Sequence, residues 1–106
     1  MVSKEYKAKW QREFSARRRA EIRLILLTTK AQPCKDCGED FPHYCMDFDH
    51  CRGRKLITPS HMQAKWIHKS DAEIRKELKK CDVVCANCHR KRTFKRNPTK
   101  FMLGEE

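Results

Sequence analysis

The sequence lacks any hydrophobic segment long enough to cross a membrane. Its longest apolar run, residues 22–27, is interrupted by Arg23, whereas a membrane-spanning helix needs about 20 mostly apolar residues. The chain is charged from Lys4 onward, which leaves no room for the apolar core of a secretory signal peptide. Internal repeats and low-complexity tracts are also missing. We therefore expect a cytoplasmic protein with reduced cysteines and no membrane partner.

Acidic residues are scarce relative to basic ones. The 106 residues include 25 Lys and Arg but only 14 Asp and Glu, which gives a formal net charge of +11. The excess lies at the two ends: residues 1–31 carry nine basic and three acidic residues, residues 82–106 carry six and three, and the segment between them is nearly balanced. Such an excess predicts a polyanionic partner, most commonly nucleic acid. We expect binding that depends strongly on salt and weakly on sequence.

Glycine and proline are absent from residues 3–29, which are rich in Lys, Arg, Glu, Ala and Leu. This composition predicts one long helix within a basic N-terminal segment, residues 1–31. Tyr6, Trp10 and Phe14 recur at every fourth position. We interpret Trp10 and Phe14, like Trp66, as packing residues and not as base-stacking platforms. The patch that contains Trp10 and Phe14 either meets a partner or is only marginally ordered. A second apolar patch should pack on the core built around the cysteines; it consists of Ile22, Ile25 and Leu26.

The remaining chain predicts a small α+β domain over residues 32–97 and a flexible tail over residues 98–106. Residue patterns and helix-cap signals predict, in order, a strand at 44–48, a helical turn at 59–66, a helix at 71–80 capped by Ser70, a short strand at 82–84 and a basic helix at 87–96. The first strand should deliver Asp49 and His50 at its end.

Four of the seven cysteines form two Cys-x-x-Cys pairs, Cys34 with Cys37 and Cys85 with Cys88. Two such pairs can supply the four tetrahedral thiolate ligands of a structural Zn²⁺ ion. The odd cysteine count argues against a disulfide scaffold, and a redox motif would need a βαβ pattern that is not found here. We therefore predict a closed zinc site. The three spare thiols are those of Cys45, Cys51 and Cys81.

A closed zinc site does not explain Asp49, His50 and His89, the last of which directly follows Cys88. We interpret Asp49 and His89 as ligands of a catalytic Mg²⁺ or Mn²⁺ ion, since such ions accept few protein ligands and keep waters and phosphate oxygens. His50 fits a general base that deprotonates the attacking water. The alternative is structural: Asp49 caps a turn and both histidines support the fold.

Three stretches together resemble the HNH endonuclease family: Cys34-x-x-Cys37, residues 46–50 (MDFDH) and residues 81–90 (CDVVCANCHR). The resemblance implies an α+β fold with a small zinc-stabilised ββα-metal, treble-clef-like core behind a long basic helix. It also implies a metal-dependent enzyme that nicks or cuts DNA, leaving 5′-phosphate and 3′-hydroxyl ends. His50 matches the base of the family, and Asp49 and His89 match its ion ligands.

The subgroup that the chain resembles is common in bacteriophages and bacteria. This implies that the protein is located in a bacterial host cell and acts within a phage packaging or replication complex. It also implies that the N-terminal helix binds a phage or host protein. One departure concerns the asparagine of the family, which has no counterpart between His50 and Asn87. Thr58 falls near its position, and His61 or His68 offers a substitute.

The missing asparagine keeps a second interpretation open. In it, the chain is a catalytically weak or inactive zinc module that retains the HNH fold and binds nucleic acid or a transcription or replication protein. Both interpretations expect phosphate contacts from basic side chains. These are Arg52, Arg54 and Lys55 after the first histidine, Arg90, Arg92 and Arg96 on the last helix, and Arg17 and Arg18 on the first helix.

Overall fold

The structure, a computed structural model, describes residues 2–101, with side chains as far as residue 99. Within this range it contains four α-helices and two strands, which confirms the predicted α+β class. The elements are α1 (Lys4–Lys30), β1 (Met46–His50), α2 (Met62–Lys65), α3 (Asp71–Leu78), β2 (Cys81–Cys85) and α4 (Ala86–Arg96). The predicted tail begins with the short 3₁₀ helix Pro98–Phe101, and residues 102–106 lie outside the described part of the chain.

Helix α1 begins and ends almost where the sequence predicts. The Ser3 hydroxyl accepts a hydrogen bond from the Tyr6 amide and so caps the first turn. Ile22 and Ile25, three positions apart on one face, are the two buried residues of the helix. Within residues 2–101, no helix combines the length and the apolar content that spanning a membrane requires.

The larger hydrophobic cluster lies between the C-terminal half of α1 and the segments that follow β1. It is formed by the buried side chains of Ile22, Ile25, Ile57, Met62, Ile74 and Leu78. Helix α3 contributes through residues at positions i and i+4, while a capping box between Ser70 and Glu73 fixes the start of this helix. The long gap between the two cysteine pairs is therefore an inserted unit that packs on α1. The prediction that the second apolar patch of α1 packs on the core around the cysteines is wrong, because this patch packs on the inserted unit.

A two-stranded antiparallel sheet joins this cluster to the cysteines. The register pairs Met46 with Cys85 at one end and His50 with Cys81 at the other. Strand β1 thus includes Asp49 and His50, two residues beyond the predicted strand, because each has a partner on β2. Phe48 packs against both hydrophobic clusters. The second cluster is formed by Cys34, Met46, Val83, Val84, Cys85 and Cys88.

Candidate metal centre and the cleft beside it

Cys34, Cys37, Cys85 and Cys88 converge on one point, as the sequence predicts. Their four sulfur atoms all lie within 4.8 Å of one another. Cys34 and Cys37 come from the turn after α1, while Cys85 ends β2 and caps α4, its sulfur accepting a hydrogen bond from the Cys88 amide. The cluster therefore ties the end of the sheet and the start of α4 to the segment that leaves α1.

The electrostatics of the four sulfurs fit a bound cation. Burial opposes ionisation of Cys34, but hydrogen bonds from the backbone amides of Cys37, Cys85 and Asp36 outweigh it and lower its pKa to about 6. In contrast, its hydrogen bond with Cys85, together with burial, raises the pKa of the Cys88 thiol to about 12. Four adjacent thiols cannot all ionise without a positive charge among them. A Zn²⁺ ion supplies this charge and releases the protons, so the cluster fits a structural zinc site.

His89 follows the last cysteine and lies between two carboxylates of β1. Its Nδ1 is 3.0 Å from Asp47 Oδ2, and its Nε2 is 3.7 Å from Asp49 Oδ1. Asp47 and Asp49 are two residues apart on a strand, so their side chains point to the same face. Helix α4 packs on that face and presents His89 to both. The structure thus brings together the two residues that we interpret as ion ligands.

The Asp49 carboxylate is buried, with 3% of its surface exposed, and it contacts two arginines of α4. Arg96 Nη1 and Nη2 lie 2.7 Å from its two oxygens, and Arg92 Nη1 lies 2.7 Å from Oδ2. These hydrogen bonds, of which those from Arg96 have the largest effect, outweigh burial and hold the pKa of Asp49 far below its usual value. Asp49 is therefore ionised at neutral pH.

Arg92 is the centre of a larger ion cluster. Its guanidinium donates two hydrogen bonds of 2.6 Å to Asp36, beside the first cysteine pair, and also contacts Asp82 of β2 at 3.0 Å. Asp82 in turn accepts a hydrogen bond from Arg52 at 2.8 Å. The hydrogen bonds that Arg92 donates to Asp36 and Asp49 raise the pKa of Arg92 further above its already high value. This cluster attaches α4 to the sheet and to the zinc-binding turn.

His50 points away from this group. Because it follows Asp49 on the strand, its side chain lies on the opposite face of the sheet, where Nε2 is 3.4 Å from Glu77 Oε2 of α3. At this orientation Nε2 makes no hydrogen bond with Glu77. Within the described part of the chain, His50 Nε2 is the one buried side-chain nitrogen or oxygen that lacks a hydrogen-bond partner. The structure therefore places Asp49 and His89 together and His50 apart from both.

Glu77 is a buried acid that the sequence analysis does not single out. Burial alone would raise its pKa, but hydrogen bonds from Lys80 and from the backbone amides of Leu56 and Ile57 lower it below the usual value. Lys80 Nζ is 2.8 Å from Oε1, and the Leu56 amide is 2.9 Å from Oε2. Glu77 thus fixes the loop that follows His50.

A cleft of about 500 Å³ opens on the exposed side of the His89–Asp47 pair. Its polar and charged lining comes from α1, from β1 and the turn before it, from α4, and from α2 together with the 3₁₀ helix Pro59–His61 and the residue that precedes it. The residues concerned are Arg23, Lys30, His43, Asp47, Thr58, Ser60, Gln63 and His89. Thr58, expected near the position of the missing asparagine, therefore lies in the same cleft as His89. His61 and His68 are not among the lining residues.

The eight basic residues expected to contact DNA fall into two groups. Four are already engaged in ion pairs: Arg18 with Glu21 and Asp71, Arg52 with Asp82, and Arg92 and Arg96 with Asp49. The other four, which are Arg17, Arg54, Lys55 and Arg90, are exposed. Arg23 and Lys30, which are not among these eight residues, lie in the cleft itself.

Asp47 is the principal residue of this site that the sequence analysis misses. Its position two residues before Asp49 on a predicted strand was the available signal, since residues i and i+2 share a face. Asp36 and Asp82 gave no comparable signal, because their arginine partners are distant in sequence.

Comparison of the chain with models of known families, with curated proteins and with solved structures finds no match.

Proposed function

We propose that the protein is a metal-dependent DNA endonuclease of the HNH type, with a zinc-stabilised ββα-metal core, which hydrolyses phosphodiester bonds to leave 5′-phosphate and 3′-hydroxyl ends. The observation that supports this most is the position of His89. It lies between two carboxylates, at the start of a helix attached to the cysteine cluster, and at the wall of a cleft that also contains Arg23 and Lys30.

The contact between Asp47 and His89 orients the imidazole. An ionised carboxylate can only accept a hydrogen bond, so Nδ1 of His89 carries a proton and donates a hydrogen bond to Asp47. In a neutral ring, Nε2 then presents a lone pair toward Asp49, 3.7 Å away. Two acceptors that face each other repel, and either a second proton on the ring or a cation between them relieves the repulsion. A carboxylate that holds the far side of a metal-binding histidine is a common arrangement.

The two residues fit a shared divalent ion. Ligand distances of about 2.1 Å allow two donor atoms of one ion to lie up to about 4.2 Å apart, and the separation of 3.7 Å between His89 Nε2 and Asp49 Oδ1 is within this limit. Arg96, with 51% of its side chain exposed, is the arginine that can leave Asp49 when an ion arrives. An Mg²⁺ or Mn²⁺ ion there would stabilise negative charge on the phosphate and on the leaving oxygen.

The protein's own groups would bind the DNA strand and activate water. Arg23 and Lys30 would hold backbone phosphates in the cleft, because Asp47 is the one acidic residue of the cleft lining that could compete for them. The base must reach a water beside the phosphate. His50 has this role in the resemblance, but its ring faces Glu77, whereas His43 is exposed and lines the cleft. Both assignments can be tested by substitution.

Nicking of supercoiled plasmid by the zinc-loaded protein, with added Mg²⁺ or Mn²⁺, tests the proposal. His89→Ala should abolish nicking, and Asp47→Asn should reduce it at least tenfold by releasing the orientation of the ring. His61→Ala, a change at an exposed histidine outside the cleft, is the matched control and should nick like wild type. Loss of nicking in His43→Ala or in His50→Ala identifies the base. Equal nicking by His89→Ala and wild type would refute the proposal.

One observation favours a second candidate function, a non-catalytic zinc module that binds nucleic acid. Asp49 accepts three hydrogen bonds from Arg92 and Arg96, and an acid engaged in this way can serve the fold alone. This candidate expects binding of duplex DNA without nicking under any divalent ion. It also expects His89→Ala to retain that binding, while substitutions of Arg23 and Lys30 weaken it.

A further inference from the structure

Three aromatic rings form a stacked column on the N-terminal half of α1, away from the cleft. The Trp10 and Phe14 rings have centroids 5.6 Å apart and lie 14° from parallel. The Phe14 and His68 rings continue the column at 5.7 Å and 19°. One end of the column rests on the body of the protein through His68, which precedes α3. The other end is Trp10, which stacks on Phe14 but remains 57% exposed, so much of its ring is open to solvent.

The surroundings of the open end are aromatic and basic. Tyr6, one turn before Trp10, is 59% exposed, and both residues border a shallow hollow with Lys7. Arg17 lies over the Phe14 ring at 5.8 Å. Residues 1–20 contain seven Lys and Arg but only two acids. A flat aromatic face within positive charge suits a ligand that combines a flat ring with negative charge.

These features argue against a second copy of the chain as the ligand. Two N-terminal halves brought together would each carry an excess of positive charge, and like charges repel at contact. The column also differs from the aliphatic stripe through which helices usually pair. A nucleotide matches both properties, because every base has a face that stacks on an aromatic ring and every phosphate carries negative charge.

We propose that the N-terminal half of α1 is a stacking platform for unpaired bases of a nucleic-acid strand, with Trp10 as the contact ring. The proposal rests on the proposed function, in which DNA is the partner, and it adds a preference for DNA that has a single-stranded segment. Trp10 is thirteen residues from Arg23 of the cleft, about 20 Å along the helix. The platform and the cleft are therefore separate surfaces.

Trp10 itself reports the interaction, since the chain has only one other tryptophan, Trp66. In a Trp66→Phe background, an oligothymidine of about twelve nucleotides should quench Trp10 fluorescence, whereas a blunt duplex of similar length should quench it little. Trp10→Ala should weaken oligothymidine binding by about 5- to 100-fold, measured by anisotropy of a labelled strand, and leave duplex binding unchanged. Leu24→Ala, which truncates another exposed side chain of α1, is the control and should change neither affinity.

Four outcomes would overturn the platform. Unchanged oligothymidine affinity in Trp10→Ala would show that the ring takes no part, and equal loss for single strand and duplex would indicate a general electrostatic effect. Quenching by polyglutamate as strong as by oligothymidine would assign the surface to an acidic protein. Self-association that Trp10→Ala removes would assign it to a second copy. Binding is measured without added Mg²⁺ or Mn²⁺. The test of the platform therefore remains valid even if the protein does not nick DNA.

Discussion

Replacing Asp49 by Asn should destabilise the protein markedly, because it removes the charge that Arg92 and Arg96 share. Asp49 is 3% exposed and Arg92 is largely covered, so Arg92 would lose one of the three carboxylates that it contacts and keep Asp36 and Asp82. Breaking a buried ion pair costs about 3–5 kcal/mol. We expect the free energy of unfolding to fall by about 3 kcal/mol, the lower end of this range, since Arg96 is half exposed and water can solvate it.

Urea denaturation of the zinc-loaded proteins at neutral pH measures this loss. Urea is preferable to guanidinium because it does not screen ion pairs. Asp47→Asn is the matched control: Asp47 lies on the same strand face but is 44% exposed and, among the described residues, pairs only with His89, so the loss should be below about 1 kcal/mol. An equal effect of the two substitutions would refute the view that Asp49 holds α4 on the sheet.

The pH dependence gives an independent check of the same ion pair. The pKa of Asp49 is lower in the folded protein than in the unfolded chain, where it is about 3.9. Its stabilising contribution is therefore complete above that value and is lost as the pH falls toward the folded pKa. The stability difference between wild type and Asp49→Asn should shrink below about pH 4. Zinc release at acid pH affects both proteins, so the difference between them isolates Asp49.

Three further changes test other parts of the structure. Cys85→Ser should eliminate bound zinc and unfold the core, as seen by metal analysis and circular dichroism; a folded, zinc-free variant would contradict the zinc role. Glu77→Gln should cost about 2 kcal/mol in urea, because Lys80 loses its buried charged partner, and an unchanged midpoint would exclude this pair as a support of the loop. Phe48→Ala should cost about 3 kcal/mol, since this ring joins both hydrophobic clusters; a loss below 1 kcal/mol would show that they are independent.

The fold was predictable wherever local signals determine it. The absence of glycine and proline marks α1, Ser70 marks the start of α3, and the spacing of the cysteine pairs predicts their convergence. These features depend on neighbours within a few residues or on a metal with fixed ligand geometry. The strand ends were less predictable, because pairing with β2 and not local propensity extends β1 through His50.

The site was only partly predictable, because its electrostatics depend on contacts between distant segments. The sequence predicts that Asp49 and His89 come close, but not that Arg92 and Arg96 hold Asp49, since a basic helix gives no sign of which charges face inward. The opposite orientation of His50 follows from strand alternation, once β1 is known to continue past Asp49. Glu77, the residue that His50 faces, lies on an inserted helix whose docking only the tertiary structure gives.

The ion site proposed between Asp49 and His89 is tested most directly by anomalous diffraction at the manganese edge, from crystals of the zinc-loaded protein soaked in Mn²⁺. We expect a manganese peak bonded to both His89 Nε2 and Asp49 Oδ1, with Arg96 turned away from the carboxylate. A map without manganese at this position, in which Arg92 and Arg96 both remain on Asp49, would contradict the catalytic interpretation.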